Sequence, residues 1–147
     1  MRHGIFSSGA DYGKGLNAGA PIWRAGADVS TRLKTDVPLT IGGKTIPAGE
    51  YSLFIELREN SWTFVVSSWA AMPQFDQAEF KRADKTTLWG SYGYTPDKDV
   101  ARAPMKLGKS PFAVEQLTWG FVNVTRTSGE LAIWWDKEFA TVPFTIG

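Results

Sequence analysis

Between residues 39 and 66 the chain runs through strand-length segments separated by turn signals, and this stretch restricts the fold more than any other. Residues 39–41 and 44–46 flank Gly42-Gly43, and Pro47-Ala48-Gly49 then leads into residues 50–57. A two-residue hairpin of type I′ or II′ needs positive φ, which glycine supplies at least cost, so Gly42-Gly43 predicts a hairpin. Pro47 fixes φ at the first corner of a turn and Gly49 suits its third residue or the strand entry behind it. Tyr51, Leu53, Ile55 and Leu57 alternate onto one face, Arg58-Glu59-Asn60 reads as a polar turn, and Trp62, Phe64 and Val66 form the next apolar row. Period-two alternation is the strand signature, and the whole stretch predicts a continuous β-meander.

The flanking sequence extends the pattern. Residues 27–34 alternate Ala27, Val29, Thr31 and Leu33 with polar neighbours, as a half-buried strand would. Residues 67–87 break the alternation, and Phe75, Ala78, Glu79 and Arg82 fit at most one short helix around residues 73–84. Further strands are expected over residues 87–94 and 99–106, around Leu117, Trp119 and Phe121, and from Leu131, Ile133 and Trp135 into Val142, Phe144 and Ile146, with a turn at residues 127–129. Pro143 cannot donate to a ladder, which places it at an edge or a bulge. About nine short strands without a long helix predict an all-β domain, an antiparallel β-sandwich or jelly-roll-like barrel.

A chain of 147 residues is one ordinary domain and can bury a core without crosslinks. Residues 1–147 therefore read as a single unit, with residues 1–25, rich in glycine, as a mostly irregular lead-in. Net charge is +1, with +1 before residue 74 and 0 after it, and acids and bases are interleaved, so no nucleic-acid partner is expected. No run approaches the roughly 20 apolar residues of a membrane-spanning segment, and the chain as given has no apolar stretch of signal-peptide length near its start. Cysteine is absent, which removes disulfides and thiolate chemistry without fixing a compartment.

Residues 89–105 concentrate the best candidate site: Trp89, Tyr92 and Tyr94 interleaved with Gly90 and Gly93, followed by Asp97, Asp99 and Arg102. Aromatic faces beside glycine suit a close apolar contact, and Asp99 with Arg102 could orient a polar group. Arg24 follows Trp23, and its guanidinium calls for a carboxylate such as Asp28 or Asp99 if buried. Arg24, Asp28, Trp89, Tyr92, Tyr94, Asp99 and Arg102 are thus the candidate ligand-binding residues, for a small polar or carbohydrate ligand. Trp62 and Trp119 share strand faces with Phe64 and Phe121 and read as core.

His3 is the only histidine and lies near the terminus, which disfavours a Ser/His/Asp triad or a two-histidine metal site. Asp97-Lys98-Asp99 is too short for a calcium loop, and Gly9, Gly13, Lys14 and Gly15 fail the spacing of a phosphate loop. No catalytic residue, metal or cofactor is assigned. A carboxylate pair for glycoside cleavage drawn from Asp28, Asp99, Glu115 and Asp136 is the enzymatic alternative, against ion pairing with nearby basic residues.

Several motifs in order carry a family resemblance: Trp23-Arg24-Ala25-Gly26-Ala27-Asp28, Ile41-Gly42-Gly43-Lys44, Pro47-Ala48-Gly49-Glu50-Tyr51-Ser52-Leu53-Phe54, Trp89-Gly90-Ser91-Tyr92-Gly93-Tyr94, Asp99-Val100-Ala101-Arg102 and Trp134-Trp135-Asp136. With these the chain resembles the bacterial DUF2911 family over roughly residues 6–146. The resemblance implies a compact all-β domain, exported to the periplasm or cell surface, with no activity attached to it. It also implies an export segment and a first strand ahead of the matching part. A missing first strand would leave an edge uncovered, so a self-assembling homo-oligomer stands as a third reading beside a non-enzymatic binding or envelope domain and a saccharide hydrolase.

Overall fold

The structure, a computed structural model, describes Tyr12, residues 14–17 and 21–26, and residues 31–147. In chain order these form α1 (Lys14–Asn17), β1 (Thr31–Thr35), β2 (Leu39–Ile41), β3 (Lys44–Ile46), β4 (Gly49–Arg58), β5 (Ser61–Ser67), β6 (Ala70–Ala71), α2 (Gln77–Lys81), β7 (Thr87–Leu88), β8 (Asp99–Pro104), β9 (Lys106–Val122) and β10 (Ser128–Ile146). Two four-stranded antiparallel sheets, ordered β1-β4-β5-β8 and β3-β2-β10-β9, make up the β-sandwich; the short β6 and β7 pair in parallel beside them. The sheets stay open and form no closed barrel among the described residues.

The main core is the alternation of the strands made solid. Leu33, Tyr51, Leu53, Ile55, Phe64 and Val66 of the first sheet pack with Ile41, Ile46, Leu131, Ile133 and Val142 of the second. Trp23 joins the edge of β4 beyond β1 through reciprocal backbone bonds with Ile55, stacks on Trp135 at 6.0 Å and meets the Trp62 ring edge-on at 6.1 Å. Trp62 is buried in the core as expected, whereas Trp119 packs half-buried against it and Phe121, on the same face, is exposed; the Trp119 indole donates to the Ala25 carbonyl at 3.0 Å.

The turn chemistry holds locally. Gly42 and Gly43 take φ of 60° and 79° in the β2–β3 hairpin, Glu59 and Asn60 form the tight loop between the paired Arg58 and Ser61, and Asp76 caps α2 by accepting from Ala78 and Glu79. The meander does not. Sheet order puts β2 and β3 in one layer and β4 and β5 in the other, so Pro47-Ala48 carries the chain between sheets instead of along one.

Two further expectations change. Of residues 87–94 only Thr87 and Leu88 are strand; Gly90 and Gly93, at φ 60° and 86°, reverse the chain so that Trp89 bridges Tyr92. The short strands expected near the C-terminus are instead β9 and β10, a hairpin of 17 and 19 residues with register shifts on either side of Asp136. Pro143 lies between the end of the β9 ladder at Thr141 and the β2 ladder at Thr145, where no cross-strand pairing needs its missing N–H. Of the strand expected over residues 27–34, residues 31–34 lie in β1 and residues 27–30 lie outside the described residues, as does most of the lead-in.

The segment from β6 to the turn before β8 covers the outer face of the first sheet. Phe54 and Val65 point away from the main core yet are fully buried, under Ile22, Trp69, Leu88 and Tyr94. Ser52 and Ser91 pin this layer by donating to the carbonyls of Trp69 and Ile22.

Candidate functional site

Outward-facing residues of the first sheet supply a polar network at the margin of that second layer. The Tyr94 ring packs on Phe54 at 5.0 Å, and its hydroxyl donates to the Asp99 carboxylate, 2.8 Å from each oxygen. Arg102 Nη1 donates to Asp99 Oδ2 at 2.8 Å and to Tyr94 Oη at 3.4 Å, while its Nη2 donates to Glu56 Oε2 at 2.9 Å. Arg58 donates to the other Glu56 oxygen at 3.3 and 3.1 Å. The Asp99 side chain keeps 8% of its exposure, whereas Arg102 keeps 38%, Glu56 36% and Arg58 71%, so the network is closed at Asp99 and meets solvent along its other members.

Protonation follows this geometry. Burial, and then the Asp99 carboxylate, pushes the Tyr94 phenol well above its ordinary value. Burial works to raise the Glu56 carboxyl, but hydrogen bonds from Arg58 and Arg102 outweigh it and hold the group below the usual carboxylate range. Burial likewise works against the charged Arg102, and Asp99 and Glu56 more than restore it. These are the settings of a charge clamp.

Trp89 and Tyr92 point elsewhere. Phe75 meets Trp89 at 5.6 Å and Phe80 at 5.3 Å, and Phe80 meets Tyr92 at 6.2 Å, making an aromatic group around α2 in which Phe75 stays half exposed. The structure therefore unites Tyr94, Asp99 and Arg102 and sets Trp89 against Phe75, ahead of α2, and Tyr92 against Phe80 of α2. Among the described residues, Arg24 has a buried Nε without a hydrogen-bond partner, and Asp99 is occupied by Tyr94 and Arg102. Asp28, the other partner expected for Arg24, lies outside the described residues, as does His3. Of the remaining acids considered for hydrolysis, Glu115 is exposed on β9 and Asp136 sits at the bulge. Among the described residues no group of three or more His, Cys, Asp or Glu side chains could hold a metal, and no helix is long and apolar enough to cross a membrane.

A different place offers volume. Between the paired positions Asp136–Val114 and Glu138–Lys109, four β9 residues, 110–113, stand opposite the single residue Lys137. The ladder opens there, and Asp136 adopts φ 53° to let it. The result is a cavity of about 620 Å³ walled by Pro111, Phe112, Val114, Trp134 and Phe139, with Lys109 among its lining residues. Trp134 and Phe139 pack at 5.0 Å, and Phe112 is 68% exposed. This pocket lies wholly outside the residues 89–105 that the sequence singled out. Its signal was the Trp134-Trp135 pair: adjacent strand residues face opposite sides, so one of two tryptophans has to point outward.

The family model described as "Protein of unknown function (DUF2911)" matches residues 2–144. The chain belongs to the DUF2911 family. Neither a curated protein nor a solved structure gives a significant match. The motifs that mark this DUF2911 chain are largely parts of its frame. Trp23 and Trp135 stack across the core, Gly42 presses against β8, Ser91 ties down Ile22, and Asp99 and Arg102 close the clamp on Tyr94. Trp134 is the exception in that it faces the cavity.

Proposed function

We propose that this DUF2911 domain is a non-enzymatic binding domain that holds a small ligand, exported to the periplasm or cell surface as its family resemblance implies. The observation that carries the reading is the roughly 620 Å³ aromatic-walled cavity at the bulge of the second sheet, within the size range of small-molecule sites. The carboxylate network favours it over the saccharide hydrolase. A glycosidase acid needs a raised carboxyl, whereas Glu56 is held low, and Asp99 is spent on Tyr94 and Arg102. Within residues 89–102 a ligand could be met by the Arg102 guanidinium and the rings around Trp89, where the half-exposed Phe75 favours a stacked sugar as the second reading. Self-assembly is less supported, because β9, an edge strand, carries Lys106, Lys109, Pro111 and bulges, all of which blunt an edge.

Thermal unfolding against mono- and oligosaccharides, amino acids, small carboxylates and lipids tests the reading. A ligand at 100 times its dissociation constant adds about 2.7 kcal/mol, and at about 2–4 °C per kcal/mol for a chain this long the midpoint rises by about 5–11 °C. A panel without any shift would refute binding and leave a structural role at the envelope.

A further inference from the structure

We propose that the cavity at the β9 bulge takes a small amphipathic monocarboxylate, with a flat apolar body against Trp134, Phe139 and Phe112 and its carboxylate at Lys109. This inference rests on the binding reading above and names its ligand class.

Backbone and glycine placement build the seat. A Cβ on Gly120 would lie 3.1 Å from the Trp134 ring and one on Gly108 3.7 Å from the Phe139 ring. The missing Cβ at Gly120 lets the Trp134 ring lie close to β9, while at Gly108 a Cβ would make only ordinary contact with Phe139; both rings lie beneath the open volume left by the bulge. Phe112, carried on the bulge, leaves an aromatic ring in water that an occupant would cover.

Chemistry at the lining selects the body and the head group. Most of the walls are apolar, and the lining offers two hydroxyls, each with one bond already made: Thr118 donates to the Gln116 carbonyl, and Ser110 accepts from the Phe112 amide. A sugar carries more hydroxyls than Ser110, Thr118 and Lys109 can pair, so part of its polar surface would face apolar wall, which is costly. Lys109 is the charged lining residue, and its ammonium has three donors. Glu138 takes one of them, and the side chain is mostly exposed, so it has capacity for a second anion. The adjacent Glu138 carboxylate repels a dianionic phosphate more strongly than a monoanion, which favours a carboxylate.

Titration of the isotope-labelled chain with 4-phenylbutyrate, followed by amide and indole NMR shifts, tests the site, with 4-phenylbutanol as the neutral counterpart. Phe112→Ala and Lys109→Gln change exposed side chains and should leave the thermal midpoint in place. The expected result is a saturable shift at the Trp134 indole and at amides of residues 110–118. Phe112→Ala should weaken it about tenfold, and Lys109→Gln should abolish the preference for the carboxylate over the alcohol. Shifts confined to Trp89, Tyr92 or Arg102, no saturation by about 5 mM, or equal binding by Phe112→Ala would overturn the inference. If the thermal panel still contained a ligand, binding would survive without this site; a flat panel as well would sink both.

Discussion

Gly42 and Gly43 are a matched pair for separating backbone strain from packing. Both take positive φ in the β2–β3 hairpin, so alanine at either should cost about 1–2 kcal/mol for the left-handed conformation. Their surroundings differ. A Cβ on Gly43 would meet nothing within 4 Å, whereas one on Gly42 would overlap the Arg102 carbonyl oxygen and come within 3.0 Å of the Ala103 Cβ. Backbone cannot swing aside as a long side chain can, so the hairpin would have to lift from β8 at the further cost of overpacking, about 1–3 kcal/mol. Gly42→Ala is therefore expected to destabilise by about 2–5 kcal/mol and Gly43→Ala by about 1–2 kcal/mol. Urea unfolding followed by tryptophan fluorescence measures both, provided the slope m is unchanged. Equal losses, within about 0.5 kcal/mol, would mean that the hairpin does not press on β8 and that the two sheets are not joined at this corner.

Tyr94→Phe should cost about 1.5–3 kcal/mol, since it removes a bond to a largely buried carboxylate; a loss below about 0.5 kcal/mol in urea unfolding would deny the clamp. The same variant bears on alkaline stability. Because the folded phenol titrates above the unfolded one, its contribution is intact below about pH 10 and declines as pH rises further, so the alkaline limb should be shallower in Tyr94→Phe. Glu56 has the opposite sign: its folded value is depressed, so its contribution is present above the unfolded value and lost as pH falls through the folded one. Stability of Glu56→Gln should accordingly fall less steeply than wild type through the acid range, and parallel curves would refute the assignment. Asp136→Gly should be neutral or stabilising by up to about 1 kcal/mol, whereas Asp136→Val should cost about 2 kcal/mol, because a β-branched residue resists φ 53°; similar midpoints for the two would argue against the bulge.

What could be read from the sequence was local. Gly42-Gly43, the Arg58-Glu59-Asn60 turn and the alternating rows of β4 and β5 declare themselves because each depends on neighbours a few residues apart. The layer change at Pro47 was hidden, since the same turn chemistry serves a chain that continues its sheet or leaves it. The β9 bulges were hidden too, because the backbone reversal falls on Asp136 instead of a glycine and is set by pairing with residues more than twenty positions away. Trp89, Tyr92, Tyr94, Asp99 and Arg102 are close in sequence, but the positive-φ turns at Gly90 and Gly93 send the first two toward Phe75 and Phe80 and the third onto Phe54. Glu56 entered the network from β4, with β5 lying between it and Arg102. Its outward phase, shared with Ser52 and Phe54, was the available clue.

The Trp134-Trp135-Asp136 motif joins core and cavity through strand geometry alone. Alternation sends Trp135 inward to stack on Trp23 and Trp134 outward onto Gly120, and the register shifts on either side of the paired Asp136 open the ladder beside the outward ring. The Trp23–Trp135 stack therefore fixes the position of the strand that presents Trp134, and the cavity wall is as well anchored as the core behind it. Exposed aromatic surface on a mobile loop would pay an ordering cost on binding; held on β10, Trp134 has already met that cost in folding. The sequence that stabilises the sandwich also preorganises its outer face, which is the physical reason the proposed binding site is assigned there and the closed Tyr94–Asp99–Arg102 clamp is read as structural.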